Sequence, residues 1–245
     1  MASTAPARLT EPQLAALDVL AADLTRVFGS RLRSLVAYGF SPDANGSPLP
    51  LRTLALLERY DFDDLHRCAP LTRAWRRLGL AVPLLLTRHE FFRTLDVFPL
   101  EYGNIIASHV VVRGDAPFEG ASVSDADRRR GCEQQAKSHL IHLREGYLET
   151  GGDAEDIADL IGASSPAFRA LLLDLARLES TDAANADDEH LAAIVEDTIG
   201  VPATLVREVL AAPVAKSTAA EPAALLARYI EASERIWSFV DRWKP

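Results

Sequence analysis

The sequence predicts an α+β protein, with a small mixed β-sheet in an N-terminal domain of residues 1–118 and an all-α helical bundle in a C-terminal domain of residues 119–245. Three observations lead to this prediction. Segments rich in β-branched and aromatic residues occur only in the first half. In the second half, apolar residues recur every three or four positions, as on one face of a helix. Between the halves lies "DAPFEGASV", residues 115–123, whose proline, glycine and small residues are typical of a boundary.

A helix is predicted over residues 11–28, because apolar residues recur there at spacings of three and four. Thr10 precedes this segment and is the expected N-cap, since a threonine side chain can accept a hydrogen bond from the first free backbone N–H groups. Gly29 follows the last apolar position and is expected to end the helix. The apolar positions are Leu14, Leu17, Leu20, Leu24, Val27 and Phe28.

Two strands follow, "LRSLVAYGF" at 32–40 and "LRTLALLE" at 51–58, joined by a loop rich in turn residues. A helix is predicted over 61–78, with Pro70 marking either a kink or its first turn. "AVPLLLT" at 81–87 reads as a short buried strand, and a brief helix is expected at 89–94. The segment "VFPLEYGNIIASHVVVRGD", residues 97–115, is predicted to form two extended runs with a turn or bulge between them.

The second half is predicted to contain five or six helices. The first covers 124–150 and ends at Gly151 and Gly152, because glycines readily terminate a helix. Further helices are expected at 153–161, 165–178, 187–199, 202–210 and about 221–243.

Composition excludes several classes of protein. With 245 residues, 48% of them apolar, the chain can bury a sizeable core, and neither a secretory signal nor a membrane span is predicted, so a cytoplasmic location is expected. The net charge is −9, and the excess acid lies in residues 123–245, which hold 22 Asp and Glu against 13 Lys and Arg. We therefore expect neither nucleic acid nor membrane as a partner. Cys68 and Cys132 lie far apart and predict neither a disulfide framework nor a zinc site.

The first half resembles the nucleotidyltransferase superfamily, the fold of kanamycin nucleotidyltransferase and related small bacterial enzymes. The resemblance rests on "LRSLVAYGF" leading into a glycine turn, on "PLRTLALLE" where the family usually has Ser-Asp-x-Asp-Leu, and on "VPLLLT" and the segment 94–118. It covers the whole chain weakly and residues 32–118 better. In active members, two carboxylates one residue apart hold two magnesium ions, and a third lies on a neighbouring strand.

The resemblance places Gly39 at the glycine of the turn, Phe40 or the displaced Ser41 at its serine, and Leu51 and Thr53 at the two carboxylates. Neither leucine nor threonine can neutralise a divalent cation, so no metal site is predicted. The expected ligand-binding residues are Gly39, Phe40, Ser41, Arg52 and Thr53. If Leu51 and Thr53 instead point into the core, Arg52 becomes the residue that faces the ligand.

Other acids could replace the lost pair. Asp43, Asp96 and Glu101 are the candidates, with Glu101 placed on or beside the strand of the third carboxylate. The acids of "DFDD", residues 61–64, are read instead as a helix cap. His139 and His142 are three residues apart, with Glu145 nearby, but they are read as a hydrogen-bonded pair and not as metal ligands.

The sequence therefore predicts a catalytically degenerate nucleotidyltransferase-like protein that binds a nucleotide or small molecule between its halves, without a cofactor. One alternative is an active, magnesium-dependent enzyme that transfers a nucleotidyl group to a hydroxyl of a small molecule or protein, using Asp43, Asp96 and Glu101. Another is a structural module that forms a homodimer or binds a protein partner through its acidic helical half.

Overall fold

A mixed four-stranded β-sheet lies at the centre of the N-terminal half of the computed structural model. Its strands are β1 (Leu32–Tyr38), β2 (Arg52–Leu57), β3 (Leu84–Thr87) and β4 (His109–Arg113), in the spatial order β3-β2-β1-β4. β1 runs antiparallel to both β2 and β4, and β2 runs parallel to β3. The predicted small mixed sheet is thus confirmed.

The structure describes residues 9–40, 49–179, 186–212 and 221–244. Their contacts separate two units, one containing residues 9–40 and 49–123 and the other beginning at Ser124. Ser41 and Asp43, and with them most of the predicted turn between the first two strands, lie outside the described residues. Across the described helices, none combines the length and apolar character that crossing a membrane requires.

Helix α1 (Glu11–Phe28) begins and ends as predicted. Thr10 and Gln13 form a reciprocal capping box, and Gly29 ends the helix at a φ of 57°. The apolar stripe of α1 packs on one face of the sheet, where Leu17, Leu20 and Leu24 belong to the same buried cluster as Leu35 and Ala55. Five of the six predicted apolar positions are buried, but Leu14 is 48% exposed. The spacing of apolar residues therefore specified the helix and most of the face that it buries.

The predicted helix over 61–78 forms two shorter helices, α2 (Phe62–Cys68) and α3 (Thr72–Arg77). A single 3₁₀ turn, Ala69–Leu71, separates them and contains Pro70. Proline has no N–H to donate to the preceding turn, which accounts for the break. Trp75 of α3 is fully buried, and its indole Nε1 donates to Asp23 of α1 at 3.0 Å.

The prediction of two extended runs between residues 97 and 115 is wrong for the first run. After α4 (Arg88–Arg93), residues Pro99–Ala107 form helix α5, and only β4 is extended. Pro99 occupies the first turn, where its fixed φ favours a helix, and Tyr102 and Ile105 lie one turn apart on the buried face. Aromatic and β-branched residues suggested a strand, but burial of this face against the sheet stabilises the helix instead.

Both faces of the sheet are covered. On the face opposite α1, Val36 of β1 with Leu54 and Leu56 of β2 forms a second buried cluster with Phe91 of α4 and Tyr102 of α5. A sheet covered on both sides buries both sets of alternating side chains, so β1 and β2 read as nearly continuous apolar runs.

Five helices form the described part of the second unit. They are α6 (Asp125–Glu149), α7 (Ala154–Glu179), α8 (Asp188–Ile199), α9 (Ala203–Ala211) and α10 (Pro222–Arg242). The two predicted helices at 153–161 and 165–178 are one helix, α7, with Pro166 inside it. The buried residues Ile157, Ile161, Phe168, Leu172 and Leu175 continue along one face across the proline. Packing of this face outweighs the hydrogen bond that Pro166 cannot make.

Candidate functional site

Three polar side chains form a row across one end of the sheet. Tyr38, the last residue of β1, pairs with Arg52 on β2 and with His109 on β4. Residues directly opposite each other on antiparallel strands project to the same face. A guanidinium, a phenol and an imidazole from three adjacent strands therefore lie side by side, and we call Arg52, Tyr38 and His109 the polar row.

Gly39 directly follows Tyr38, the central residue of the polar row, in the sequence. Its φ of 70° lies in the left-handed region, which favours glycine. A Cβ atom at Gly39 would lie 3.4 Å from the Cδ of Arg52, so the arginine stem passes close to the glycine backbone. Phe40, the next residue, is half-buried and packs against the hydrophobic cluster beneath α1. The glycine thus allows β1 to turn away while Arg52 lies across it.

Leu51 and Thr53 point into the core. Their exposed fractions are only 3% and 1%, whereas Arg52 between them is exposed. The backbone of Leu51 is held from both sides, since its N–H donates to Gly79 at 2.8 Å and its carbonyl accepts from Ala81 at 2.9 Å. The two positions that the resemblance assigns to carboxylates therefore face the core beneath α1, and Arg52 is the residue of this segment that reaches solvent.

The hydroxyl of Thr53 is a buried polar group. Its Oγ1 has no hydrogen-bond partner in the described part of the chain. Its strand neighbour is Ala37 of β1, which offers only a methyl group. Burial of a hydroxyl without a partner opposes folding.

The charge of Glu101 influences the pKa of Tyr38 in the polar row. Burial raises the pKa of the Tyr38 phenol, the negative charge of Glu101 raises this pKa further, and the positive charge of Arg52 opposes the change. The raised pKa favours the neutral form of the phenol, which can donate a hydrogen bond. Glu101 lies in the first turn of α5 and is exposed, so its predicted position on or beside a strand is wrong.

His109 is oriented by the end of α5. Its Nδ1 lies 3.0 Å from the carbonyl oxygen of Ile105 and 3.1 Å from that of Ile106. A carbonyl oxygen only accepts, so Nδ1 carries the proton, and in the neutral ring Nε2 is the nitrogen left to accept a hydrogen bond. The imidazole also meets the ring of Phe118 edge-on, with 4.7 Å between the ring centres.

A cluster of aromatic rings packs beside the site, on the face of the sheet opposite α1. Phe91 lies 4.7 Å from Tyr102 and 5.0 Å from Phe118, measured between ring centres, and Phe98 lies 5.5 Å from Tyr102. Close packing of large rings restricts their rotamers. The aromatic cluster thereby fixes the helix that carries Glu101 and the ring that contacts His109.

The remaining predicted residues lie elsewhere. Asp96 is exposed in the turn before α5. Asp61 is the N-cap of α2 and forms a capping box with Asp64, so the predicted cap is confirmed.

The predicted hydrogen-bonded pair of His139 and His142 is wrong. His139 bonds to the hydroxyl of Tyr229 at 2.7 Å, whereas His142 lies 3.2 Å from Glu145.

No group of three His, Cys, Asp or Glu side chains close enough to hold a metal ion occurs among the described residues. Comparison of the chain with protein-family models, curated proteins and solved structures gave no match. The site is therefore interpreted from its own chemistry: the exposed cation Arg52 lies beside the phenol of Tyr38, which in turn lies beside the oriented imidazole of His109.

Sequence reasoning identified Gly39 and Arg52 but missed Tyr38 and His109 as part of the same site. Each of the latter lies at the end of an apolar segment, where a single polar residue is unremarkable. Their proximity depends on the pairing of β1 with β4, which are about seventy positions apart in the sequence.

Proposed function

We propose that this chain is a non-catalytic binding protein, whose nucleotidyltransferase-like first unit holds an anionic small molecule, such as a nucleotide, beside Gly39. The orientation of residues 51–53 carries this proposal. Leu51 and Thr53 face the core while Arg52 faces solvent, so the segment presents a cation where nucleotidyl transfer would need anions.

Arg52 is suited to bind a phosphate or carboxylate group. The planar guanidinium can donate two parallel hydrogen bonds to such groups, and Arg52 makes no ion pair with a carboxylate in the residues that the structure describes. Tyr38 adds a hydroxyl donor, because a phenol is protonated at neutral pH and burial raises the pKa of Tyr38 further. Nε2 of His109 can accept from a ligand hydroxyl or amine.

Titration of the full chain with ATP by calorimetry, with magnesium and with EDTA, tests the proposal. We expect binding in both conditions and no release of pyrophosphate. Arg52→Ala should weaken ATP binding at least tenfold, since a hydrogen-bonded charged contact contributes about 1.5–3 kcal/mol.

Arg59→Ala is the matched control for this experiment. Arg59 is exposed just beyond the opposite end of β2, so its replacement removes the same charge without touching the polar row. The affinity of the Arg59→Ala variant for ATP should stay within about twofold of wild type, because remote exposed charges are screened by salt. Equal losses in the two variants, or no binding by the wild type, would refute the proposal.

An active transferase is the second candidate, because Glu101 is near enough to influence the pKa of Tyr38 beside the glycine turn. In that case Glu101 would act with Asp96 and Asp43. Magnesium-dependent pyrophosphate release that disappears in Glu101→Gln would establish this candidate and overturn the non-catalytic one. A protein partner or homodimer likewise stays a prediction, which sedimentation at several concentrations can test.

A further inference from the structure

The second unit carries an open groove with mainly cationic walls. It has a volume of about 760 Å³ and lies between the first turns of α6 and the end of α10. Four of its lining residues are cations, Arg129, Arg130, Arg242 and Lys244, and one is a carboxylate, Asp241. We call this feature the basic groove. It lies in the half of the chain where acids outnumber bases, 22 to 13, so its charge is a local property.

Arg129 joins the two walls of the basic groove. Its Nε donates to the carbonyl of Val240 at 3.1 Å, and its Nη2 donates to that of Asp241 at 2.6 Å. These carbonyls end α10 and carry the partial negative charge of a helix C-terminus. Arg129 also lies 3.2 Å from Glu133, so it is a structural cation whose charge is largely compensated.

The charges of Arg242 and Lys244 are not compensated in this way. Nε of Arg242 donates to the carbonyl of Ser238 at 2.9 Å, which positions the guanidinium and leaves its two terminal nitrogens available. Neither residue makes an ion pair with any carboxylate of the described ranges, and both are exposed. Arg130, by contrast, pairs with Asp127. Two cations without an ion pair in the described ranges therefore border the groove, and one of them, Arg242, is positioned by a hydrogen bond.

We propose that the basic groove binds a compact polyanion, a small molecule with two or more phosphate or carboxylate groups. Adjacent cations favour closely spaced negative charges, and an arginine fork fits the oxygens of either group. The volume lies in the range of small-molecule sites. A long polyanion such as nucleic acid would meet the acidic remainder of the unit and is disfavoured. All residues involved belong to the second unit, so this site does not depend on the function proposed for the first.

Calorimetric titration of the full chain with pyrophosphate, and separately with citrate, tests the inference at low ionic strength. We expect at least one of these probes to bind, and the stronger of the two identifies phosphate or carboxylate as the preferred group. The double variant Arg242→Ala/Lys244→Ala should weaken that binding at least tenfold. Raising the salt concentration should weaken binding by the wild type, because the contacts are exposed ion pairs.

The double variant Arg228→Ala/Arg235→Ala is the matched control. It also removes two exposed positive charges from α10 but leaves the basic groove intact. Its affinity for the probe should stay within about twofold of wild type, and circular dichroism should show both double variants folded. Binding of neither probe, or equal losses in the two double variants, would overturn the inference.

Discussion

The two units bury polar side chains in physically different ways. In the first unit, the carboxylate of Asp64 is buried and pairs with the guanidinium groups of Arg31 and Arg67. In the second, His139 is buried and bonds to the hydroxyl of Tyr229, which also lies 3.5 Å from Oγ of Ser164. The first cluster is held by opposite charges and the second by hydrogen bonds between neutral groups.

This difference determines how each cluster responds to pH. The Arg31 hydrogen bonds, followed by those from Arg67, hold the pKa of Asp64 well below its usual range, so the carboxylate stays charged in the folded chain. Burial lowers the pKa of His139 to about 4, with a smaller contribution from His142, so the imidazole stays neutral. A charged cluster that resists acid and a neutral one that acid disrupts thus occur in one chain.

Removing the carboxylate from the first cluster should have the largest effect. We expect Asp64→Ala to lower the free energy of unfolding by about 1.5–3 kcal/mol, because it removes the charged hydrogen bonds from Arg31 and Arg67 to a buried carboxylate. The side chain of Asp64 is only 2% exposed, and it also accepts from the backbone N–H of Asp61. Urea unfolding followed by circular dichroism measures the change.

Glu58→Ala provides the comparison for Asp64→Ala within the same unit. Glu58 pairs with Arg33, but these side chains are 53% and 58% exposed. Exposed pairs contribute at most about 1 kcal/mol. If Asp64→Ala cost no more than Glu58→Ala, the buried cluster would not stabilise the first unit as described.

The second cluster should make stability depend on mildly acidic pH. The folded pKa of His139 is about 4, below the unfolded value near 6.5, so its contribution is present above pH 6.5 and is lost as pH falls toward 4. Over this window, His139 should account for a loss of about 3 kcal/mol in unfolding free energy. Urea unfolding at several pH values measures the loss, and an NMR titration of the ring measures its pKa.

His139→Gln should abolish this part of the pH dependence, because glutamine does not titrate but can still bond to Tyr229. His142→Gln is the control, since His142 is exposed on the same helix, and its pH dependence should resemble that of wild type. A ring pKa of 6 or higher for His139 would contradict the assignment of a buried neutral imidazole.

The smallest expected effect concerns a buried hydroxyl that belongs to neither cluster. Thr53→Val replaces the Oγ1 that lacks a partner in the described part of the chain with a methyl group of similar size. We expect stabilisation of up to about 1 kcal/mol, whereas Tyr229→Phe, which removes a bonded hydroxyl, should destabilise by about 1 kcal/mol. Thermal melts of both variants test the difference, and destabilisation by Thr53→Val would show that its hydroxyl is satisfied.

Local signals in the sequence predicted most helices and strands. Thr10 and Asp61 were recognised as N-caps because the cap is made by residues within three positions of each other. The two errors, at α5 and at Pro166 in α7, have a common cause. In both, the residue types disfavour a helix locally, and burial of an apolar face against distant elements stabilises it nevertheless.

The candidate site was predictable only in part. Gly39 and Arg52 could be found because the glycine turn and the strand after it are adjacent in the sequence. Tyr38, His109 and Glu101 come together through strand pairing and the packing of α5, neither of which leaves a local signal. The assignment of each side chain to a face of β2 was equally undetermined, because both faces of that strand are apolar.

The sequence by itself determined the division into a mixed α/β half and a helical half, the absence of paired carboxylates at positions 51 and 53, and the excess of acid after residue 123. Only the tertiary structure decided that Arg52 faces solvent, that Tyr38 lies between Arg52 and His109, and that four cations line one groove in the acidic half. Composition and helical periodicity are local properties, whereas the environment of a side chain depends on strand register and on helix packing between residues far apart in the chain.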